Sequence, residues 1–197
     1  MPKNIVATFL DLLSKIIDPV EKKSKEKSSP NEDKEQQSHV TKGLLEILYE
    51  DGSHSGNGLL LNENGLALTC CHCLNVPLSQ IYIKHRNGKN FKVLRIIAKD
   101  EKNDLALCLI DTYRIAQKKY YEISNLGAYI EKNAINVSIL TLRNGKLVIR
   151  DGVSELIRKT VNVEKINRQT LIEMNIFCAK GDSGGVVVDK DGHVLGI

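Results

Sequence analysis

The chain has 197 residues, a formal net charge of +4 and 42% hydrophobic side chains, enough for one core with an appendage and too little for two independent catalytic domains. The charge is modest and spread over mixed-sign segments, without aromatic interleaving or a basic stripe, which argues against nucleic acid as a partner. The 5 cysteines, two of them adjacent, make an odd, clustered set that points to free thiols and a reducing, cytoplasmic setting.

In chain order, residues 1–20 come first. Ile5, Val6, Phe9, Leu12, Leu13, Ile16 and Ile17 recur at three and four residues, the period of an amphipathic helix. Asp11, Lys15 and Asp18 break the apolar run a signal peptide requires, and the stretch is too short and too charged to cross a bilayer. Its polar face is not rich in lysine, so a protein partner is expected for this helix and membrane-surface contact is disfavoured. Residues 21–39 run mainly through Lys, Glu, Ser, Asn and Gln with Pro30; nothing there offsets the entropy of ordering, and the segment reads as a flexible polar linker.

From residue 40 to 197 the period is that of extended chain. A strand is predicted over 43–49, then a turn at Asp51-Gly52, a glycine-rich bend at Ser55 to Gly58 and a further turn at Asn62 to Gly65. Strands at 81–84, 91–97 and 105–110, with a turn at Asn87-Gly88, bring the set to about six, enough for one antiparallel barrel over about 40–112. The polar stretch 113–125 crosses to a second set over about 125–197, with strands at 134–142, 146–150, 154–163, 170–174, 186–189 and 193–197. Asn144-Gly145 and Asp191-Gly192 are hairpin turns.

Chemistry concentrates in Ala179-Lys180-Gly181-Asp182-Ser183-Gly184-Gly185. Glycines around one serine permit a tight turn whose consecutive N–H groups converge beside its oxygen, as an oxyanion pocket requires. A serine hydroxyl needs a histidine base oriented by a carboxylate. His72 in Thr69-Cys70-Cys71-His72-Cys73 and Asp104 in Asn103-Asp104-Leu105-Ala106-Leu107 each sit at the edge of an apolar, strand-like segment. His39, His54, His85 and His193 lack such a setting and read as surface or turn residues. Asp100, Glu101 and Asp111 read as a solvated strand edge.

These residues carry a resemblance. Gly56-Asn57-Gly58 with Asn64 to Thr69 is similar to the hairpin that leads into the histidine of trypsin-like serine proteases, nearest the HtrA/Deg branch. Asp104-Leu105-Ala106-Leu107 resembles that family's aspartate strand, and Gly181-Asp182-Ser183-Gly184-Gly185 its serine motif. The resemblance implies an all-β fold of two antiparallel barrels, the second incomplete at the C-terminus, and a serine endopeptidase acting on protein or peptide through an acyl-enzyme. His72 is then the base, Asp104 the buried carboxylate that orients it, and Ser183 the nucleophile. Gly181 and Ser183 supply the oxyanion-hole N–H groups, and no metal or organic cofactor is implied.

The same resemblance sets further expectations. Secreted relatives pair the cysteine after the histidine with one on the preceding strand, where this chain has only Ser55, Gly56, Asn57 and Gly58; buried free thiols are expected instead. Zinc is disfavoured because Cys70, Cys71, His72 and Cys73 lack the paired gaps of a zinc ribbon. Asp182, which in some relatives pairs with a new N-terminus, is expected to find a local partner, without zymogen cleavage. Phe177, at the position the family uses for the floor of the specificity pocket, implies a preference for apolar side chains. The absence of a PDZ segment after Ile197 puts protein quality control in doubt and leaves processing of a specific partner equally open. The end at Ile197 suggests an unfinished edge, hence a weak peptidase, a catalytically silent binding module, or a fragment of a longer protease.

Overall fold

The computed structural model describes residues 41–86, 88–112, 134–155 and 173–197. The helix expected in 1–20, the linker in 21–39, the crossing segment 113–125 and most of the strand expected over 154–163 lie outside the described residues.

Six strands, β1 (Leu44–Tyr49), β2 (His54–Leu60), β3 (Leu66–Cys70), β4 (Ile81–His85), β5 (Asn90–Asp100) and β6 (Leu105–Ile110), close into an antiparallel barrel in the order β1-β2-β3-β6-β5-β4. The remaining five, β7 (Ile135–Arg143), β8 (Lys146–Glu155), β9 (Glu173–Met174), β10 (Val186–Asp189) and β11 (Val194–Gly196), form one sheet in the order β11-β10-β7-β8-β9. The described residues are thus almost wholly β, with one closed barrel and a second sheet that is open among those residues.

Strand side chains alternate between faces, and the sequence exploits both. Leu45, Ile47, Leu60, Ala67, Ile83, Ala106 and Cys108 pack inside the barrel. Their neighbours Leu44, Leu59, Leu66, Leu68 and Leu107 point the other way, against Leu140, Leu142, Val186 and Val188 of the second sheet. The opposite face of that sheet buries Val137, Ile139, Val187 and Leu195. Strands buried on both faces read as unbroken apolar runs, which explains Leu105 to Ile110 and Val186 to Val188.

Two expected boundaries change. Ser55 to Gly58 is strand rather than bend: Gly56, Asn57 and Gly58 pair with Ile47, Glu46 and Leu45. The glycines there serve close approach, since a Cβ on Gly58 would stand 2.9 Å from the Leu68 carbonyl oxygen. The break expected after Arg150 is likewise absent, because Asp151 and Gly152 continue the ladder opposite Ser138 and Val137.

Candidate active site

β3 ends in a single 3-10 turn, Cys71–Leu74, which carries His72. Asp104 closes the turn between β5 and β6 in a left-handed backbone conformation, φ 55°, which Asp tolerates better than most residues. It bonds the histidine turn at three points. The Cys71 N–H donates to the Asp104 carbonyl at 3.0 Å, the His72 N–H to Oδ1 at 3.0 Å, and His72 Nδ1 meets Oδ2 at 2.5 Å. With Nδ1–H donating to the carboxylate, Nε2 is left with its lone pair free to take a proton. The carboxylate is not buried as expected: the side chains of His72 and Asp104 are 47% and 43% exposed. Hydrogen bonds to the turn, rather than burial, fix Asp104.

The serine lies on the turn that leads into β10. The Asp182 N–H donates to the Ala179 carbonyl at 3.0 Å and the Gly185 N–H to the Asp182 carbonyl at 2.9 Å, with Gly181 and Gly184 at φ 93° and 72°. Asp182 is buried and finds the local partner expected of it. Its Oδ2 accepts from Arg150 at 2.7 Å and from the Ala179 N–H at 2.6 Å, while Arg143 stands 3.6 Å from Oδ1. The Gly181 and Ser183 N–H groups make no backbone hydrogen bond among the described residues.

The loop is fastened to the barrel through Asn57, a fully buried residue of β2. Its N–H donates to the Ser183 carbonyl at 2.7 Å, its Nδ2 to the Gly181 carbonyl at 2.9 Å, and its Oδ1 accepts the Leu142 N–H at 2.7 Å. Gly184 is pressed so close that a Cβ would lie 2.0 Å from the Asn57 carbonyl oxygen and 2.9 Å from Thr69 Oγ1. Thr69 is three residues before His72, so the serine turn packs on the strands that carry the histidine. The Ser183 hydroxyl itself makes no hydrogen bond to His72 among the described residues.

A second histidine reaches the same loop. His54 Nε2 lies 2.8 Å from the Gly181 carbonyl oxygen and its Nδ1 3.1 Å from Glu46 Oε1. Both acceptors are satisfied together when both ring nitrogens carry protons, with Glu46 as counterion. Glu46 is fully buried and also accepts the N–H groups of Asn144 at 2.6 Å and Gly145 at 2.9 Å, which anchors the β7–β8 hairpin to β1. Arg143, in that hairpin's first strand, donates to the Lys180 carbonyl at 2.5 Å. Both peptide planes flanking Gly181 are therefore held by side chains from outside the loop. Their sequence signals were a lone Glu inside the apolar strand at 44–48 and an Asn between two glycines.

Several expectations are corrected by burial. His54 is a half-buried bridge between Glu46 and the Gly181 carbonyl, and His85 is buried, its Nε2 at 2.5 Å from the Lys42 carbonyl; His193 keeps its turn setting, with Nδ1 at 3.0 Å from Asp189. Asp100 is buried, accepting the N–H of Asn103 at 3.1 Å and its Nδ2 at 2.5 Å, so it shapes the turn that presents Asp104. Phe177 is 79% exposed among the described residues.

All five thiols are free, but Cys178 is exposed and Cys70 half-buried. Desolvation pushes the Cys108 thiol up to about 12 and raises that of Cys71. Cys73 goes the other way, down to about 7, chiefly through the hydrogen bond from Cys70 and with help from the charge of His72. Donor atoms of Cys70, His72 and Asp104 lie within 4.8 Å of one another. Nδ1 of the histidine and Oδ2 of the carboxylate are already engaged with each other at 2.5 Å.

Residues 56–197 match the family model of the trypsin-like peptidase domain, and the chain belongs to that family, a class of serine-type endopeptidases. Among curated proteins it is similar to the serine protease Do-like HtrA of Lactobacillus helveticus, 24% identical over 160 residues that cover 79% of this chain and 36% of the relative. It is similar to the serine endoprotease DegS of Haemophilus influenzae, 24% identical over 150 residues covering 72% and 40%. The mitochondrial serine protease HTRA2 of Drosophila ananassae is 27% identical over 159 residues, covering 73% and 33%. The aligned part of the chain thus spans between 33% and 40% of the length of these three relatives.

Proposed function

We propose that the chain is a serine endopeptidase that cleaves protein or peptide substrates by acyl transfer, processing a specific partner in a reducing, cytoplasmic setting. His72 Nε2 takes the Ser183 proton as the hydroxyl attacks a peptide carbonyl. Asp104 holds the ring in the required tautomer and stabilises the imidazolium. The N–H groups of Gly181 and Ser183 receive the developing oxyanion, each such donor being worth ~3 kcal/mol of barrier. The reading is carried by the His72–Asp104 pair, joined at side chain and backbone and packed against a serine turn whose carbonyls are bonded by the neighbouring strand.

A fluorophosphonate probe tests this directly, because phosphonylation needs both an activated serine and an assembled oxyanion pocket. Labelling is expected on Ser183 of the native chain and lost in Ser183→Ala and His72→Ala. One observation favours a second reading, a binding module without turnover: the Ser183 hydroxyl is not hydrogen-bonded to His72 among the described residues. A folded chain that stays unlabelled decides for that reading.

A further inference from the structure

We propose that Cys70 and Cys73 form a redox-active dithiol beneath the catalytic histidine, and that its closure to a disulfide reversibly silences the site. The silencing rests on the protease reading above; the chemistry of the pair does not.

Cys70 caps the 3-10 turn Cys71–Leu74 and Cys73 is that turn's third residue. The residue that caps a turn and the third residue inside it bring their side chains together, and each of these two thiols shifts the ionisation of the other. Cys71 does not compete, since its thiol donates to the Leu105 carbonyl at 2.9 Å. Cys73 is boxed in: fully buried, with its carbonyl accepting from Ser55 Oγ at 3.0 Å and its sulfur filling the room Gly56 leaves, 2.5 Å from where a Cβ would stand. Cys70 is the partly exposed member. The contact lowers the Cys73 thiol and raises that of Cys70, so Cys73 supplies the thiolate of the pair and Cys70, the partly exposed member, is the resolving thiol.

The oxidant is hydrogen peroxide. The thiolate attacks one peroxide oxygen, the O–O bond breaks to give a sulfenic acid, and the hydroxide that leaves takes up the proton lost by the first thiol as water. The second sulfur then attacks the sulfenic sulfur; the S–O bond breaks, and the hydroxide released takes the remaining thiol proton as water. Two thiols are oxidised and one peroxide is reduced to two waters.

Closure requires the sulfurs to approach to ~2.05 Å. With Cys73 enclosed, the movement falls on Cys70. Its sulfur is within 4.8 Å of donor atoms of both His72 and Asp104, and the next two N–H groups in the chain, those of Cys71 and His72, hold Asp104. A shift there displaces the base from the serine.

The thiol chemistry is tested on the Ser183→Ala chain, whose result is independent of catalysis. After hydrogen peroxide, denaturation and alkylation, peptide masses are expected to show Cys70 and Cys73 protected together, both regained after dithiothreitol, with no disulfide to Cys178. Alkylation of both, or a loss that dithiothreitol does not reverse, overturns the dithiol. In the native chain, peroxide is expected to slow fluorophosphonate labelling about a hundredfold, the scale of a misplaced reacting group, with recovery in dithiothreitol. Cys70→Ala, or Cys70→Ser should the first fail to fold, is expected to keep its labelling through peroxide. A disulfide that leaves labelling unchanged, or equal peroxide sensitivity in the folded Cys70 variants, overturns the silencing. A reduced native chain that never labels overturns the protease reading and the silencing with it, while the thiol count still decides the dithiol.

Discussion

The two halves of the site are held by different means. The histidine and aspartate belong to one closed barrel, and every bond that joins them runs between β3's turn and the turn before β6. The serine loop belongs to the open sheet, yet its carbonyls are bonded largely by side and main chain from elsewhere: Asn57 and His54 from β2, with Glu46 of β1 behind His54, and Arg143 from β7. The lesson is that the dyad is a local product of its barrel, whereas the nucleophile and oxyanion loop is a product of the contact between the two sheets. Substitutions that act on one half should therefore leave the fold of the other intact.

The sharpest break on the dyad side is Asp104→Asn, which preserves shape but reverses the hydrogen-bond demand on Nδ1. It is expected to lower the labelling and turnover rate by roughly 10⁴-fold with little change in melting temperature, since both side chains are nearly half exposed. On the loop side Asn57→Ala removes two buried side-chain bonds at once, leaving the Leu142 N–H unpaired; at ~1–3 kcal/mol per orphaned group it should lower both melting temperature and labelling rate. A variant that lost activity without losing stability would show that the loop does not depend on the contact between sheets. Gly184→Ala meets the same seam more locally, through a Cβ 2.0 Å from the Asn57 carbonyl oxygen at φ 72°. Smaller again is the Glu46–His54 bridge. Glu46→Gln and His54→Asn should each slow labelling, and the double variant should fall short of their sum by ~0.5–3 kcal/mol, because the two act as one unit on the Gly181 carbonyl.

What the sequence made legible follows the same division. The barrel's strands were readable as short apolar runs bounded by turn residues, and the triad candidates because each stands at the edge of such a run, Ser183 alone among glycines. The clamp residues left only a faint signal, a lone Glu in an apolar strand and an Asn between two glycines. Glu46 and Asn57 are polar groups in strands, and their burial depends on partners more than 80 residues away in sequence, the Asn144 N–H and the Leu142 N–H. His54 looked like a turn histidine because its acceptor, the Gly181 carbonyl, lies in the other sheet. Phe177 was assigned through a family pattern, which carries no information on burial, and its 79% exposure was not legible either. Ser154, whose buried hydroxyl has no partner among the described residues, gave no signal at all.

The smallest expected effect lies at the seam itself. A Cβ on Gly56 would stand 2.5 Å from the Cys73 sulfur and 2.8 Å from the Ser183 carbonyl oxygen, so Gly56 is what separates Cys73 from the serine loop. Its thiol is drawn from an ordinary value of 9.0 down to about 7, first by the Cys70 hydrogen bond, while that same bond raises Cys70. Only one proton therefore leaves the pair across this range. A folded-state value below the unfolded one means that thiolate formation favours the fold: the contribution is fully present above pH 9, and is lost as pH falls through about 7. Thiolate absorbance of the native chain is expected to rise around pH 7 by one group. In Cys70→Ala that rise should move toward the ordinary thiol range, since the largest cause of the shift has been removed. A rise that stays near pH 7 without Cys70 would assign the effect to His72 and Thr69, the other groups lowering Cys73, and would place Cys73 electrostatically with the histidine turn alone.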